Sequence, residues 1–340
     1  KLARDCVLSL VNLALITGNV GKPGAGIYPM RPGANEQGAW DVGCVPERLP
    51  GYRWVSNAED RQALETLWDS SIPDMPGLGL THIIEGAASG RVKAMFLIGD
   101  SPNLSNGKLG NGLAALDKLE FLVVSDTFLG AAAQRADVVL PRATFDEKDG
   151  TFTNLEGRVS RVARKVTSPG TSRPDWMIAV DLADRLGTDL GFMSSEDVWA
   201  ELTAVSAVHA DLSSEAIAAE STEGVLVMGG LALVRPEPTL VPARQPSALR
   251  LVATRSMYDT GVLVAHSPSL SGLAPGARAA LEPAEMQRLG IVDGEVVDLV
   301  GPKGTVQVPV VADAGVAAGT VHLLVNQPGV DVAALLAAGA

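Results

Sequence analysis

VKAMFLIGDSPNLSNGKLGNGLAALDKLEFLVV, residues Val92–Val124, carries the clearest signature of architecture in the chain. It opens on an apolar run, Val92–Ile98, and crosses a polar, Gly-containing stretch. A short helical spacer follows at Leu109–Leu119, then a second apolar run, Phe121–Val124. A third, DVVL at Asp137–Leu140, comes soon after. Apolar runs that do not alternate, separated by helical spacers, predict the strands of a parallel α/β sheet. The Val92–Val124 unit has the length of a strand–helix–strand crossover.

Each strand is followed by small polar residues. Gly99-Asp100-Ser101-Pro102 follows the first and Ser125-Asp126-Thr127 the second. Pro141 leads from the third into FDEKDGTFTNLEGR, Phe145–Arg158. Ligands of open parallel sheets bind beyond the carboxyl ends of the strands. These ends are therefore the candidate site, and they suit a large polar ligand such as a nucleotide. Ordinary polar loop composition explains them equally well on physical grounds alone.

Toward the amino end, Leu2–Ile16 reads as an amphipathic helix with Leu2, Cys6, Leu10 and Leu13 on one face, joined by Val7, Val11 and Ala14. Gly18 stands where a helix-ending glycine belongs. A long Gly- and Pro-rich loop is expected over Gly18–Tyr52, and loops of that length are often functional. Asn57–Asp69 is a polar helical stretch.

Toward the carboxyl end, Pro174–Leu186 predicts a helix stopped by Gly187. Ser194 or Ser195 caps the next helix, with Glu196 and Asp197 in its first turn. Ser206–Pro246 lacks a clear period and reads as a loose insertion or linker. Pro283–Leu289 is a short helix closed by Gly290. Val-rich strands at Glu295–Val300, Thr305–Val311 and Thr320–Val325 are separated by GPKG and DAGVAAG. The expected organisation is an α/β domain over 1–204, a linker or insertion over 205–256 and a small β-barrel domain over 257–340.

Composition narrows the function classes. The 340 residues are 46% hydrophobic and 19% charged, enough apolar material for real cores. Lys and Arg total 27 against 39 Asp and Glu, a net charge of −12. Nucleic-acid binding rests on clustered cations, so that class is disfavoured, as is direct docking on anionic lipid. No stretch approaches the roughly 20 apolar residues of a membrane-spanning helix. Lys1 has no hydrophobic signal segment behind it and is not Met, so a fragment or processed chain is expected. Two cysteines, Cys6 and Cys44, do not by themselves hold a four-cysteine iron–sulfur cluster or a cysteine-rich zinc site. Lone thiols fit a reducing compartment.

Several motif readings fail. Gly18, Gly21, Gly24 and Gly26 invite a dinucleotide loop, but they follow a helix where that fingerprint needs a strand. No phosphate-cradling P-loop is present. His82, His209 and His322 read as surface or satisfied core residues. His266, in HSPSL between apolar runs, is a better candidate. Asp146, Glu147, Asp149 and Glu156 have no spacing that fixes an acid–base pair.

Four segments resemble the molybdopterin oxidoreductase superfamily, the relatives of formate dehydrogenase. They are TGNVGKPGAGIYPMRPGANEQGAWDVG (Thr17–Gly43), FLIGDSPN (Phe96–Asn103), ADVVLPRATFDEKDGTFTNLEGRV (Ala136–Val159) and His266–Val310. They occur in the family's order, and the E-K-x-G-T-F-x-N-x-E-G-R string is quite specific. The last segment is similar to the family's C-terminal six-stranded, double-psi type barrel. Within the superfamily, Met257–Leu270 and Asn326–Gly329 look most like the C-terminal part of the large iron–sulfur subunit of bacterial NADH–quinone oxidoreductase, respiratory complex I.

The resemblance implies that Gly99, Asp100, Pro102, Asp126, Asp137, Asn154 and Arg158 lie around pterin dinucleotides. It implies that His266 and Ser267 open the barrel loop that closes over them. Asp suits a guanine or ribose, and Arg158 with backbone N–H groups suits pyrophosphate. The complex I reading implies a structural segment, with no catalytic residue, metal ligand or cofactor of its own and an empty inherited pocket. Its iron–sulfur clusters lie upstream, and its partners are the other subunits of the hydrophilic arm. It places the chain in the cytoplasm, at the inner face of the membrane through the complex. The alternative is the cofactor-binding half of a formate dehydrogenase-type enzyme, holding molybdopterin guanine dinucleotide with Mo or W.

Overall fold

The computed structural model describes residues 2–30, 33–99, 112–219, 224–227, 249–302, 304–328 and 335. The chain forms two compact units, each drawn from separate parts of the sequence. One is Lys1–Gly79 with Arg142–Pro242, the other Leu80–Pro141 with Ala243–Ala340.

In the second unit the expected strands appear as Ala94–Ile98, Phe121–Asp126 and Val138–Pro141, hydrogen-bonded in that order and parallel throughout. The spacer helix spans Gly112–Leu116, and residues 109–111 of its expected range lie outside the described residues. Side chains alternate across a strand. Met95, Leu97, Leu122 and Val124 therefore share one face, which packs on Leu113, Leu116, Ala132 and Ala133. The helix Leu80–Ala88 adds Ile84 and Ala87 to a neighbouring cluster with Ala115. Phe96, Ile98, Phe121 and Val138 alternate the other way and are exposed. The unbroken apolar run of the first strand predicts burial on both faces, but the described residues of its unit cover only one.

The same unit holds a five-stranded sheet in the order Val296–Gly301, Gly304–Ala312, Ala279–Leu281, Thr320–Leu324, Arg250–Thr254. A hairpin joins the first two, and the remaining pairings are parallel, antiparallel and parallel. Val306, Val308, Val310, Val321 and Leu323 point inward at period two and form its core. Against the six strands of the expected barrel, five are present among the described residues. Arg250–Thr254 lies in the stretch that reads as linker, yet it pairs along its whole length with Thr320–Leu324. Its single inward apolar residue, Leu251, packs on the core and leaves little alternation to read.

In the first unit the amino-terminal helix is present as Leu2–Ile16. Its expected inner face is protected only in part: Val11 and Ala14 are half-buried, as are Leu8 and Leu15 outside it, while Cys6, Val7, Leu10 and Leu13 are exposed. The expected loop over Gly18–Tyr52 contains a short helix, Glu36–Asp41, and ends against a two-stranded pairing of Arg48–Leu49 with Arg53–Trp54. An antiparallel sheet joins Gly150–Thr153, Arg158–Val162 and Val225–Leu226. Gly38 lets the Glu36–Asp41 helix sit close to this hairpin: a Cβ there would meet Asn35 Oδ1 at 2.3 Å and Thr153 Oγ1 at 3.1 Å.

Helices Asp175–Arg185, Ser195–Val205 and Ser214–Ala219 complete this unit. Ser194 is the cap of the middle one. It accepts from Asp197 N while the Asp197 carboxylate accepts from Ser194 N, a reciprocal capping box. Part of the supposed loose insertion is packed. Leu212 and Ile217 are buried against Val159, with Trp199 and Val225 alongside. Its later part, 228–248, lies outside the described residues. His209 is a satisfied core residue as expected, buried with its Nδ1 2.7 Å from Ser206 Oγ. His322 bonds Thr254 Oγ1 across two paired strands, and His82 is exposed.

Candidate functional site

The carboxyl edge of the three-stranded sheet gathers the first group of candidates. The register pairs Ile98 with Ser125, which sets Gly99 beside Asp126. Gly99 N donates to Ser125 O at 2.8 Å, and the chain turns there at φ +79°, a conformation that favours glycine. Asp126 is 8% exposed. Its Oδ1 accepts from Thr127 N at 2.6 Å, which directs the carboxylate back over the strand end.

Asp126 Oδ2 and Ser125 Oγ are buried and have no hydrogen-bond partner among the described residues. A buried acceptor left unpaired costs about 1–3 kcal/mol, more when charged. These two atoms are thus a standing demand for donors. A carboxylate oxygen takes N–H or O–H groups, the donors of an amino-purine edge or a ribose.

His266 reaches this edge from the C-terminal part of the unit. It follows the short helix Val262–Ala265, and its Nδ1 lies 2.8 Å from Val262 O. The imidazole stacks on the ring of Phe128, with centroids 4.0 Å apart and planes 20° from parallel. Ser267 continues the turn: its N donates to Val264 O at 3.1 Å, and its Oγ is 3.2 Å from Ser269 Oγ.

The chain leading to His266 is locked by residues near 326. Gly261 N and the Arg255 guanidinium both donate to buried Asp259. Thr260 Oγ1 donates to Asn326, and Gln327 Nε2 donates to Ser256 Oγ at 2.9 Å. Arg255–Gly261 and Asn326–Gln327, separate stretches in sequence, are thus one interlocked loop system.

Asp137 is not at this edge. Val138 pairs with Val123, so Asp137 sits at the amino edge of the sheet, where its carboxylate accepts from Leu122 N at 2.7 Å. Its role in the structure is to tie two parallel strands together. Asp100 and Pro102 lie outside the described residues.

Asn154 and Arg158 belong to the other unit and share one tight turn. Asn154 Oδ1 accepts from Glu156 N at 2.9 Å and Arg158 N at 3.0 Å. Gly157 completes the turn at φ +84°. The Arg158 guanidinium donates to Glu156 at 2.7 Å and to Gly224 O at 3.4 Å. The same unit has a cavity of about 420 Å³ walled by Trp176, Trp199, Leu202 and Ile217. Its arginine, Arg161, is already paired with Glu196 at 3.6 Å and Asp149 at 3.9 Å.

The structure therefore joins Gly99, Asp126 and, through Phe128, His266 with Ser267. It separately joins Asn154 with Arg158. Phe128 gives no signal in the sequence, because a single aromatic in a polar loop does not announce its partner. No group of three His, Cys, Asp or Glu side chains placed to hold a metal ion occurs among the described residues. Among the same residues no helix is long and apolar enough to cross a membrane.

Comparison with known proteins agrees with this architecture. The family model described as Molybdopterin oxidoreductase matches residues 3–185, and that described as Molydopterin dinucleotide binding domain matches 249–338. The chain is 33% identical to the Probable oxidoreductase YjgC of Bacillus subtilis, over 96% of this chain and 35% of that protein. It is 31% identical to the F420-dependent formate dehydrogenase 2 subunit alpha of Methanococcus maripaludis, over 94% of this chain and 50% of that one. It thus spans between a third and a half of these curated relatives. Among solved structures, acetylene hydratase from Pelobacter acetylenicus shares the fold, with a TM-score of 0.52 at 17% identity over 86% of this chain and 43% of that one. A family match over more than half its residues, on a parallel sheet accompanied by a C-terminal β sheet, shows that the chain belongs to the molybdopterin oxidoreductase family.

Proposed function

We propose that this chain is the cofactor-binding C-terminal part of a molybdenum- or tungsten-dependent dehydrogenase of the formate dehydrogenase type. One observation carries the reading: the buried Oδ2 of Asp126, without a partner among the described residues, beside the tight turn at Gly99. An empty structural pocket has no reason to keep a carboxylate oxygen out of water without a donor. The named relatives favour this reading over the complex I one, since they are a formate dehydrogenase subunit and a probable oxidoreductase.

The residues fit a pterin guanine dinucleotide. Asp126 accepts from guanine or ribose donors. Gly99 permits close approach of the backbone. His266 and Ser267 supply polar groups from the C-terminal loop. The bound pterin and its metal supply the two-electron redox chemistry. This chain's own residues bind and orient the dinucleotide.

The test is an Asp126→Asn variant of the full-length protein, assayed for guanine nucleotide and for Mo or W per chain. The change keeps the shape and replaces one acceptor oxygen with a donor. The expected result is at least a tenfold loss of bound dinucleotide with normal folding. Full cofactor content in the variant, or abundant iron with neither Mo nor W in the wild type, refutes the reading.

A further inference from the structure

We infer that Phe128 is a positioning residue: it clamps the His266 imidazole face-on, so that Nε2 is held as the hydrogen-bonding nitrogen offered to the ligand at the carboxyl edge of the sheet. This deepens the function proposed above and rests on it for the identity of the ligand.

Two contacts define the ring. Its Nδ1 is 2.8 Å from the Val262 carbonyl oxygen, which only accepts, so Nδ1 carries the proton. In the neutral imidazole that leaves Nε2 as the acceptor. One ring face is covered by Phe128 at 4.0 Å and 20°, a stacked contact that resists rotation of the ring.

The combination is unusual for a surface residue. His266 is exposed, and an exposed imidazole ordinarily samples several rotamers. Here it is fixed at one nitrogen and on one face. Asp126 shares its loop with Phe128 and accepts from Thr127 N. The group that needs donors and the group that holds the imidazole are thus two residues apart on one strand end. A ligand that gives N–H or O–H groups to Asp126 finds a preset acceptor at Nε2. Fixing it in advance removes the ordering cost that a mobile side chain adds to binding.

The experiment compares wild-type, Phe128→Ala and Phe128→Tyr forms of the full-length protein. One readout is the rate of His266 carbethoxylation by diethyl pyrocarbonate after the dinucleotide has been removed, mapped by mass spectrometry with His82 as internal control. The other is the rate at which the loaded protein releases guanine nucleotide. Phe128→Ala is expected to raise both by about 2- to 10-fold, the range one aromatic pair supports. Phe128→Tyr, which keeps the ring, is expected to match wild type, and the His82 rate to stay constant.

Equal His266 rates in wild type and Phe128→Ala overturn the clamp. A faster His266 reaction with unchanged nucleotide release overturns the positioning role and leaves only packing. A wild-type protein that carries no pterin dinucleotide overturns the functional reading and the ligand half of this inference together, while the His266 rates still decide the clamp by themselves.

Discussion

Ser206 and His209 form a closed polar pair, hydroxyl to Nδ1 at 2.7 Å, with both side chains excluded from solvent. Burial pushes the His209 pKa down, against a smaller upward pull from the Asp41 carboxylate. In the unfolded chain the ring titrates near its ordinary value of 6.5. Between that value and the lowered folded one, the unfolded state binds more protons, so stability rises with pH. The His209 contribution is therefore complete above about pH 6.5 and is lost as pH falls toward the folded pKa. Stability of the wild type should fall as pH drops below about 6.5, at a limiting slope of about 1.4 kcal/mol per pH unit from this group. His209→Gln should flatten that part of the profile. Parallel profiles for the two proteins would reject the assignment.

Leu122 is 2% exposed and sits at the centre of the cluster beneath the three-stranded sheet. Leu122→Ala should cost about 2–5 kcal/mol, through lost transfer energy and the cavity left behind. Val138, on the opposite face, is 39% exposed. Val138→Ala should cost clearly less in the same denaturant titration, and equal losses would show that the second face of the sheet is covered.

The two serines before the Ser195–Val205 helix allow a direct comparison. Ser194 makes both halves of the capping box with Asp197. Ser194→Ala should destabilise by about 1 kcal/mol, whereas Ser195→Ala should be nearly neutral. The shift in unfolding midpoint for each variant decides the matter, and a larger effect at Ser195 would reverse the assignment.

Gly38 offers a steric test. A methyl group there lies 2.3 Å from Asn35 Oδ1, the acceptor of Thr153 N. Gly38→Ala should displace that amide and destabilise by about 1–3 kcal/mol. Faster limited proteolysis at the Gly150–Arg158 hairpin is the expected signature, and a wild-type digestion pattern would count against it.

Some of this molecule is legible in the chain alone. The apolar runs at Val92–Ile98, Phe121–Val124 and Asp137–Leu140 announce parallel strands, because a strand's pairing preference depends on local apolar and β-branched content. The Gly187 and Gly290 helix ends and the turn glycines between the C-terminal strands are equally visible, being local backbone requirements. The FDEKDGTFTNLEGR string and its companion segments point to the family, since they carry side chains in fixed order and spacing.

Other features exist only through tertiary contact. Arg250–Thr254 is a strand because Thr320–Leu324 offers it a ladder, not because its own pattern is strong. Leu2–Ile16 protects Val11 and Ala14 of the stripe its periodicity suggests but leaves Leu10 and Leu13 exposed, since periodicity shows that a face exists but not what covers it. Asp126 and Asp137 look alike in sequence, each bordering an apolar run. Strand direction sends the first to the carboxyl edge, with an oxygen that no described residue pairs, and the second to the amino edge, bonded to Leu122 N. The stack of Phe128 on His266 has no trace in either local sequence. Propensity and pattern follow from a residue and its near neighbours, so the elements and the family could be read from the order of residues. Register, edge and partner depend on which distant segments meet, and those came only with the folded chain.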